Sequence, residues 1–223
     1  MGPFSFYTMK KITLCVLFLC CLAQVQGQLK FGFVAGLHIN NLNEPVSYGP
    51  ESKISINFHG GIAAGLRLKE TSFDIQGEVL YTTLGFKNSS IMATDQNGND
   101  LGTIGLERIN YIELPFYLLY NFRIPSMKLK VGAGPFFAFK VSQATRTYPG
   151  GETFRGTASP LGTSASSSTM AGGGICATIQ LSPQFFLSGH YHHSFTEVYQ
   201  RQTPGGENWK MNDLGISLGI FLK

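Results

Sequence analysis

Charge is what this sequence has least of. Only 13% of its 223 residues are Asp, Glu, Lys or Arg, against roughly 25% in ordinary soluble domains. A surface that met water everywhere would need more, so part of this one is expected to meet something else. Cysteine is scarce where it would matter. Of four cysteines, Cys15, Cys20 and Cys21 fall in the first 27 residues and Cys176 stands alone beyond them. Without that leading segment no internal disulfide can form, and no cysteine-based metal site has its partners. No amphipathic helical period of useful length appears after residue 28. Catalytic and phosphate-binding signatures are missing too. Gly-x-Ser-x-Gly is absent, and Gly102-Thr103-Ile104-Gly105 lacks the Gly-Lys-Ser/Thr ending of a phosphate loop. The net charge of +4 falls to +2 when residues 1–27 are removed, because they hold two lysines and no acid. So small a basic balance excludes nucleic acid as a partner.

The leading segment reads as a secretory signal. Lys10 and Lys11 form its basic region, Ile12 to Ala23 its apolar core, and Val25-Gln26-Gly27 its small-residue cleavage pattern. The apolar core is too short to span a membrane as a helix. Leu19 before Cys20 is too bulky for a lipoprotein signal. Residues 1–27 are therefore taken as a cleaved signal peptide and 28–223 as one β-barrel domain.

What the remainder has in abundance is alternation of period two. Eight segments carry it: 29–41, 54–69, 73–86, 109–122, 128–141, 169–181, 185–199 and 212–223. In the first, Phe31, Phe33, Ala35, Leu37 and Ile39 oppose Lys30, Gly32, Val34, Gly36, His38 and Asn40. In the last, Leu214, Ile216, Leu218, Ile220 and Leu222 share a face. Connections are short at 70–71, 123–126 and 182–184, and long and polar at 42–53, 87–106, 142–168 and 200–211. The Ser-rich run 164–168 is expected to be flexible. Short turns at one end and long loops at the other describe an all-β, eight-stranded antiparallel up-and-down transmembrane β-barrel.

Alternation alone does not say which face points inward. A soluble lipocalin-like barrel would turn its apolar face to a greasy ligand and would carry many charges outside. Here the polar face is mostly Gly, Ser, Asn, Gln and His. Small residues suit the narrow lumen of eight strands, and the strictly apolar face suits lipid. The barrel is expected to be closed, because an open edge in lipid leaves backbone amides unpaired at several kcal/mol each.

The run Tyr111-Ile112-Glu113-Leu114-Pro115-Phe116-Tyr117-Leu118-Leu119-Tyr120 resembles the fourth strand of the PorT-like outer-membrane β-barrel family. Lys30-Phe31-Gly32-Phe33-Val34-Ala35-Gly36, Val131-Gly132-Ala133-Gly134-Pro135-Phe136-Phe137 and Phe185-Phe186-Leu187-Ser188-Gly189-His190-Tyr191 echo it elsewhere, so the resemblance covers nearly all of 28–223. It implies an eight-stranded barrel in the Gram-negative outer membrane and no single activity; the named member belongs to a protein-secretion system. His190 stands where that family often has Arg.

Polar residues on the inward face form the candidate site. Arg67, Asp74, Glu78 and Glu113 are assigned to a lumen polar network. The turn at Glu70-Thr71 sets paired positions to a sum of 141, so Arg67 should face Asp74, Gly65 face Gln76 and Ala63 face Glu78, with Arg67 and Asp74 as an ion pair. Asp74 and Glu78 lie roughly 13 Å apart along a strand, too far for a glycosidase pair. Pro115 inside a strand predicts a bulge. His190 and His192 share a face while His193 points away, and two histidines still need a third ligand, so no metal or other cofactor is assigned. Ser188, Ser194 and His192 share a face, yet nothing places an acid beside them, so no catalytic residue is assigned. The expected role is non-enzymatic: a structural or docking element whose partners are outer-membrane lipid and the proteins of an envelope or secretion assembly. An outer-membrane enzyme acting on lipid or peptide at the barrel rim, and a soluble ligand-binding barrel, are the alternatives.

Overall fold

A computed structural model describes residues 29–43, 55–86, 92–94, 100–124, 127–148, 153–155, 164–201 and 210–222. The expected signal segment, with its expected boundary at residue 27, lies outside them. Eight long strands make the wall: β1 (Leu29–Asn43), β2 (Ser55–Arg67), β3 (Phe73–Phe86), β4 (Asp100–Ile124), β5 (Met127–Tyr148), β6 (Thr169–Gln180), β7 (Phe185–Ser194) and β8 (Lys210–Phe221). Each pairs antiparallel with the next, and β8 pairs back on β1 from Gly32↔Phe221 to Asn43↔Lys210. That last ladder closes the sheet, and closure gives every wall strand two hydrogen-bonded neighbours.

The alternation resolves into an inside-out barrel. Ile56 is 70% exposed, Leu214 60% and Phe31 56%, whereas His38, His59, Asp213 and Ser194 are 2% or less. Apolar side chains therefore clothe the outside and polar ones fill the lumen. In water, such a wall would leave a continuous apolar belt unburied at about 25 cal/mol per Å². In lipid it costs nothing, and the polar face is satisfied internally.

The 141 register holds. Gly65↔Gln76, Ala63↔Glu78 and Arg67↔Asp74 are cross-strand partners. Leu68 and Phe73 close the turn, with Leu68 N donating to the Phe73 carbonyl at 3.1 Å. Glu70 takes a left-handed conformation with φ of 60° there.

Three expectations need correction. No register shift falls at Pro115: Pro115↔Phe136 and Leu118↔Ala133 lie on one register, and the shifts sit at Ile104/Leu106 and Asn110/Tyr111. A missing amide removes hydrogen bonds, and the intervening partners Phe116 and Tyr117 simply drop out of the ladder. The loops expected at 87–106 and 142–168 are partly strand, because β4 and β5 run for 25 and 22 residues. Their hairpin is widened by Met92–Thr94 against β4 and Thr153–Arg155 against β5. Finally, the serine run is not free chain. Ser164–Ser166 pairs with Tyr199–Arg201, and Lys140 N donates to the Ser168 carbonyl at 2.8 Å. Backbone pairing needs no apolar side chain, so composition alone misled.

Leu118 and Ile216 lie on the outer face, 51% and 54% exposed. Leu118→Arg or Ile216→Arg should lower folding stability in phospholipid bilayers by roughly 2–4 kcal/mol if the site is near the midplane. Denaturant titration of the reconstituted protein measures this, and an unchanged midpoint for both would contradict the inside–outside assignment.

Candidate functional site

The middle of the lumen is a cluster of histidines and carboxylates, and sequence geometry explains how it assembles. On β7, alternation sends His190, His192 and Ser194 inward, while His193 faces away and holds Asn212 Oδ1 through its Nδ1 at 2.7 Å. On β8 the same alternation sends Asp213, Gly215 and Ser217 inward. Pairing sets His192 opposite Asp213 and His190 opposite Gly215. Across the closing ladder Asn40 faces Asp213 and His38 faces Gly215, and β2 contributes Asn57 and His59.

Asp213 is the hub. Its Oδ1 accepts Asn40 Nδ2 at 2.8 Å and lies 3.1 Å from His38 Nδ1. Asn40 is itself held by Asn57, whose Nδ2 donates to Asn40 Oδ1 at 2.6 Å. His38 Nε2 donates to the Thr83 carbonyl at 2.9 Å. Asp213 Oδ2 turns the other way, 3.4 Å from His190 Nε2 and 3.9 Å from His192 Nδ1. The rings pack on one another: His38 against His59, His59 against His190, and His190 stacked on His192 with centroids 4.7 Å apart. His59 Nε2 meets Ser217 Oγ at 2.6 Å, while its Nδ1 has no hydrogen-bond partner.

Glu113 reaches the same cluster from β4. Thr82 Oγ1 donates to its Oε2 at 3.1 Å. Its Oε1 lies 2.8 Å from His192 Nδ1, and neither of those atoms makes a directed hydrogen bond. His192 Nε2 meets the Tyr117 hydroxyl. Tyr117, His192 and Glu113 thus stand in the order of a hydroxyl–imidazole–carboxylate triad. The hydroxyl belongs to a tyrosine only 3% exposed. Ser194, weighed as a nucleophile, accepts the Met211 amide at 2.7 Å. Neither Ser188 nor Ser194 bonds to His192, so the triad requirement fails on access and on partner.

Of the four residues assigned to the network, Asp74, Glu78 and Glu113 are buried and Arg67 is exposed at the short-turn mouth. They do not form one network. Glu113 belongs to the histidine cluster, Glu78 accepts Gln76 Nε2 at 2.7 Å, and Asp74 pairs with Lys130 at 2.7 Å and accepts Asn121 Nδ2 at 2.8 Å. The expected Arg67–Asp74 ion pair is therefore replaced. Their backbones are directly opposed, but Lys130 reaches Asp74 from β5 across the lumen mouth. A cavity of about 460 Å³ opens there, lined by Lys30, Arg67, Asp74, Lys128 and Lys130 among others.

Glycine makes the cluster possible. His59 lies opposite Gly36, His190 opposite Gly215, His192 opposite Gly174, and Phe186 opposite Gly219. A Cβ on Gly36 would come within 2.7 Å of His59 Nε2, and one on Gly174 within 3.0 Å of His192 Nε2. Each ring occupies the volume its partner lacks, which is how an eight-stranded lumen accommodates large side chains. Asp213 was the residue sequence inspection passed over. Alternation placed it inward, but nothing in the sequence set the register between the last strand and the first. Gly174→Ala should destabilise the barrel by about 1–3 kcal/mol through overpacking. Gly189→Ala, whose Cβ meets only the Gly215 carbonyl at 3.8 Å, should cost nothing measurable. Urea titrations in detergent compare the two, and equal effects would refute the ring-over-glycine packing.

Comparison with known proteins places these features in context. Residues 22–200 match the family model described as outer membrane protein beta-barrel domain. Among solved structures, Ail, the attachment invasion locus protein of Yersinia pestis, aligns at 11% identity over 87% of this chain and 99% of its own, with a TM-score of 0.47. Neisserial surface protein A aligns at 16% identity over 85% and 96%, with a TM-score of 0.46. OprG of Pseudomonas aeruginosa aligns at 9% identity over 87% and 94%, with a TM-score of 0.44. No curated protein matches in sequence.

Proposed function

Because this chain belongs to the outer membrane protein β-barrel domain family, we propose that it serves there as a non-enzymatic structural or docking element rather than as a channel. The filled lumen carries this reading. Toward the long connections, Leu84, Ile109, Tyr111, Phe136, Met170 and Met211 pack as one apolar layer. Toward the short turns, Val34, Ala63, Leu80, Phe186 and Phe221 pack as another. The histidine–carboxylate cluster fills the level between them. Solute would have to displace apolar packing twice and a hydrogen-bonded charge cluster once, which a general pore does not demand.

With solute passage and buried chemistry set aside, interaction falls to the outer wall and to the extended β4–β5 hairpin. The wall takes lipid. The hairpin, with its added strand pieces, offers a broad platform beyond the lipid belt for another envelope protein. The PorT-like resemblance, carried by the run around Glu113 and Pro115, favours a secretion or envelope assembly as the setting. Under this reading the short turns, that between β4 and β5 among them, face the periplasm, and the extended far ends of β4 and β5 face outward.

Liposomes carrying the purified barrel should not swell in small sugars, and phospholipid substrates should remain intact. Replacing residues 156–163 with a Gly-Ser linker should leave the barrel folded but abolish its native-gel complexes in isolated envelopes. Sugar-driven swelling would replace this reading with a channel, and phospholipid cleavage lost in His192→Ala would replace it with an enzyme.

A further inference from the structure

We propose that the lumen holds one divalent transition-metal ion of the Zn²⁺ class, bound by His190, His192 and Asp213. The three offer one ligand atom each, all within 4.8 Å of one another, and all three residues are buried. The third ligand that two histidines on one strand lack is supplied by the neighbouring strand, directly opposite His192.

The distances suit such an ion. Imidazole and carboxylate bind Zn²⁺ at about 2.0–2.2 Å, which puts ligand atoms of a tetrahedral site roughly 3.3–3.5 Å apart. His190 Nε2 and Asp213 Oδ2 are 3.4 Å apart already, and His192 Nδ1 is 3.9 Å from the same oxygen. His190 and His192 stack with 23° between their planes, so coordination asks both rings to turn about their own side-chain bonds until the lone pairs converge. His190 lies opposite Gly215 on β8 and Cys176 on β6, and His192 opposite Asp213 and Gly174, so one neighbour of each ring carries no side chain to oppose the turn. A water or hydroxide would complete the fourth position.

The surroundings are those of a metal ligand set. His38 and Asn40 occupy Asp213 Oδ1 and leave Oδ2 facing the two histidines. Tyr117 holds the far nitrogen of His192, the kind of contact that fixes ring orientation around a bound ion. His192 Nδ1 is buried 2.8 Å from Glu113 Oε1 and 3.9 Å from Asp213 Oδ2, so coordination draws this nitrogen from Glu113 toward Asp213 and leaves Glu113 beside the ion. Charge points the same way. Asp213 and Glu113 bring two carboxylates into one buried cluster, and among the described residues no Lys or Arg pairs with either. A divalent ion balances them while the imidazoles stay neutral. Protonated imidazoles are the competing balance, and they would exclude the metal.

The site is enclosed, so the ion enters as the barrel folds. The full-length mature chain is refolded into detergent with Co²⁺ or Zn²⁺ and desalted. Bound metal is then counted by mass spectrometry, and the Co²⁺ sample is examined for the intense visible bands of low-coordinate cobalt. About one equivalent of either ion should be retained. Asp213→Asn and His190→Gln should each lose tenfold or more in affinity, and His193→Gln should match the parent. Heat-modifiable migration on SDS gels shows which variants fold. His190→Gln, which removes a ligand but keeps the Asp213 carboxylate and its partners, keeps the test decisive if Asp213→Asn does not fold. Failure of the parent to retain stoichiometric metal, or equal retention by a folded His190→Gln, overturns the proposal.

Discussion

Everything in this barrel depends on keeping Asp213 satisfied where water does not reach. A buried carboxylate without partners is costly enough to disfavour the fold, and this one is 1% exposed. Its neighbours answer that need from three strands at once: Asn40 and His38 on β1, His190 and His192 on β7, and Asn57 on β2 through Asn40. Each of those side chains must be large enough to reach the axis and must find room there. That requirement selects glycine on the strands opposite. The inward face is thus a matched set of long polar residues and empty positions, and the outward face is left free to be uniformly apolar.

Much of this was legible because a strand has only two faces. Eight segments, their alternation and the short-turn pattern were enough for the closed barrel, and the turn at Glu70 fixed the β2–β3 register residue by residue. Face assignment followed from one chemical fact, the poverty of charge on the polar face. Illegible were the features that depend on long-range pairing. Arg67 and Asp74 were correctly opposed, yet Lys130 on β5, two strands beyond Asp74, took the ion pair. Glu113 was correctly turned inward, but its company of His192 and Thr82 required registers that no short turn fixes. The serine run 164–168 failed differently: its pairing is made by backbone alone, and alternation has nothing to report where side chains are small.

The lumen also separates two kinds of filling. Apolar clusters at either end are tolerant, since hydrophobic residues of similar volume can replace one another at modest cost. The central cluster is not, because each hydrogen bond fixes the orientation of the next group. A barrel of this design can vary its wall and its ends while its middle stays chemically specific. The Tyr117–His192–Glu113 chain illustrates the point: each member meets the next, and all three lie buried.

The contact between Asn40 and Asp213 joins residues 173 positions apart, across the ladder that turns a curved sheet into a cylinder. Contacts so distant in sequence form late, after the entropy of the intervening chain has been lost to nearer pairings. Until β8 meets β1, Asp213 remains hydrated, and the cost of drying it is postponed to the moment its partners arrive. Closure is therefore a proofreading step. A seam out of register by one residue would turn the carboxylate into lipid, and one out by two would separate it from Asn40, so a misaligned seam forfeits the contacts that offset its burial. The residue most expensive to bury is placed where its expense discriminates between a finished barrel and a nearly finished one.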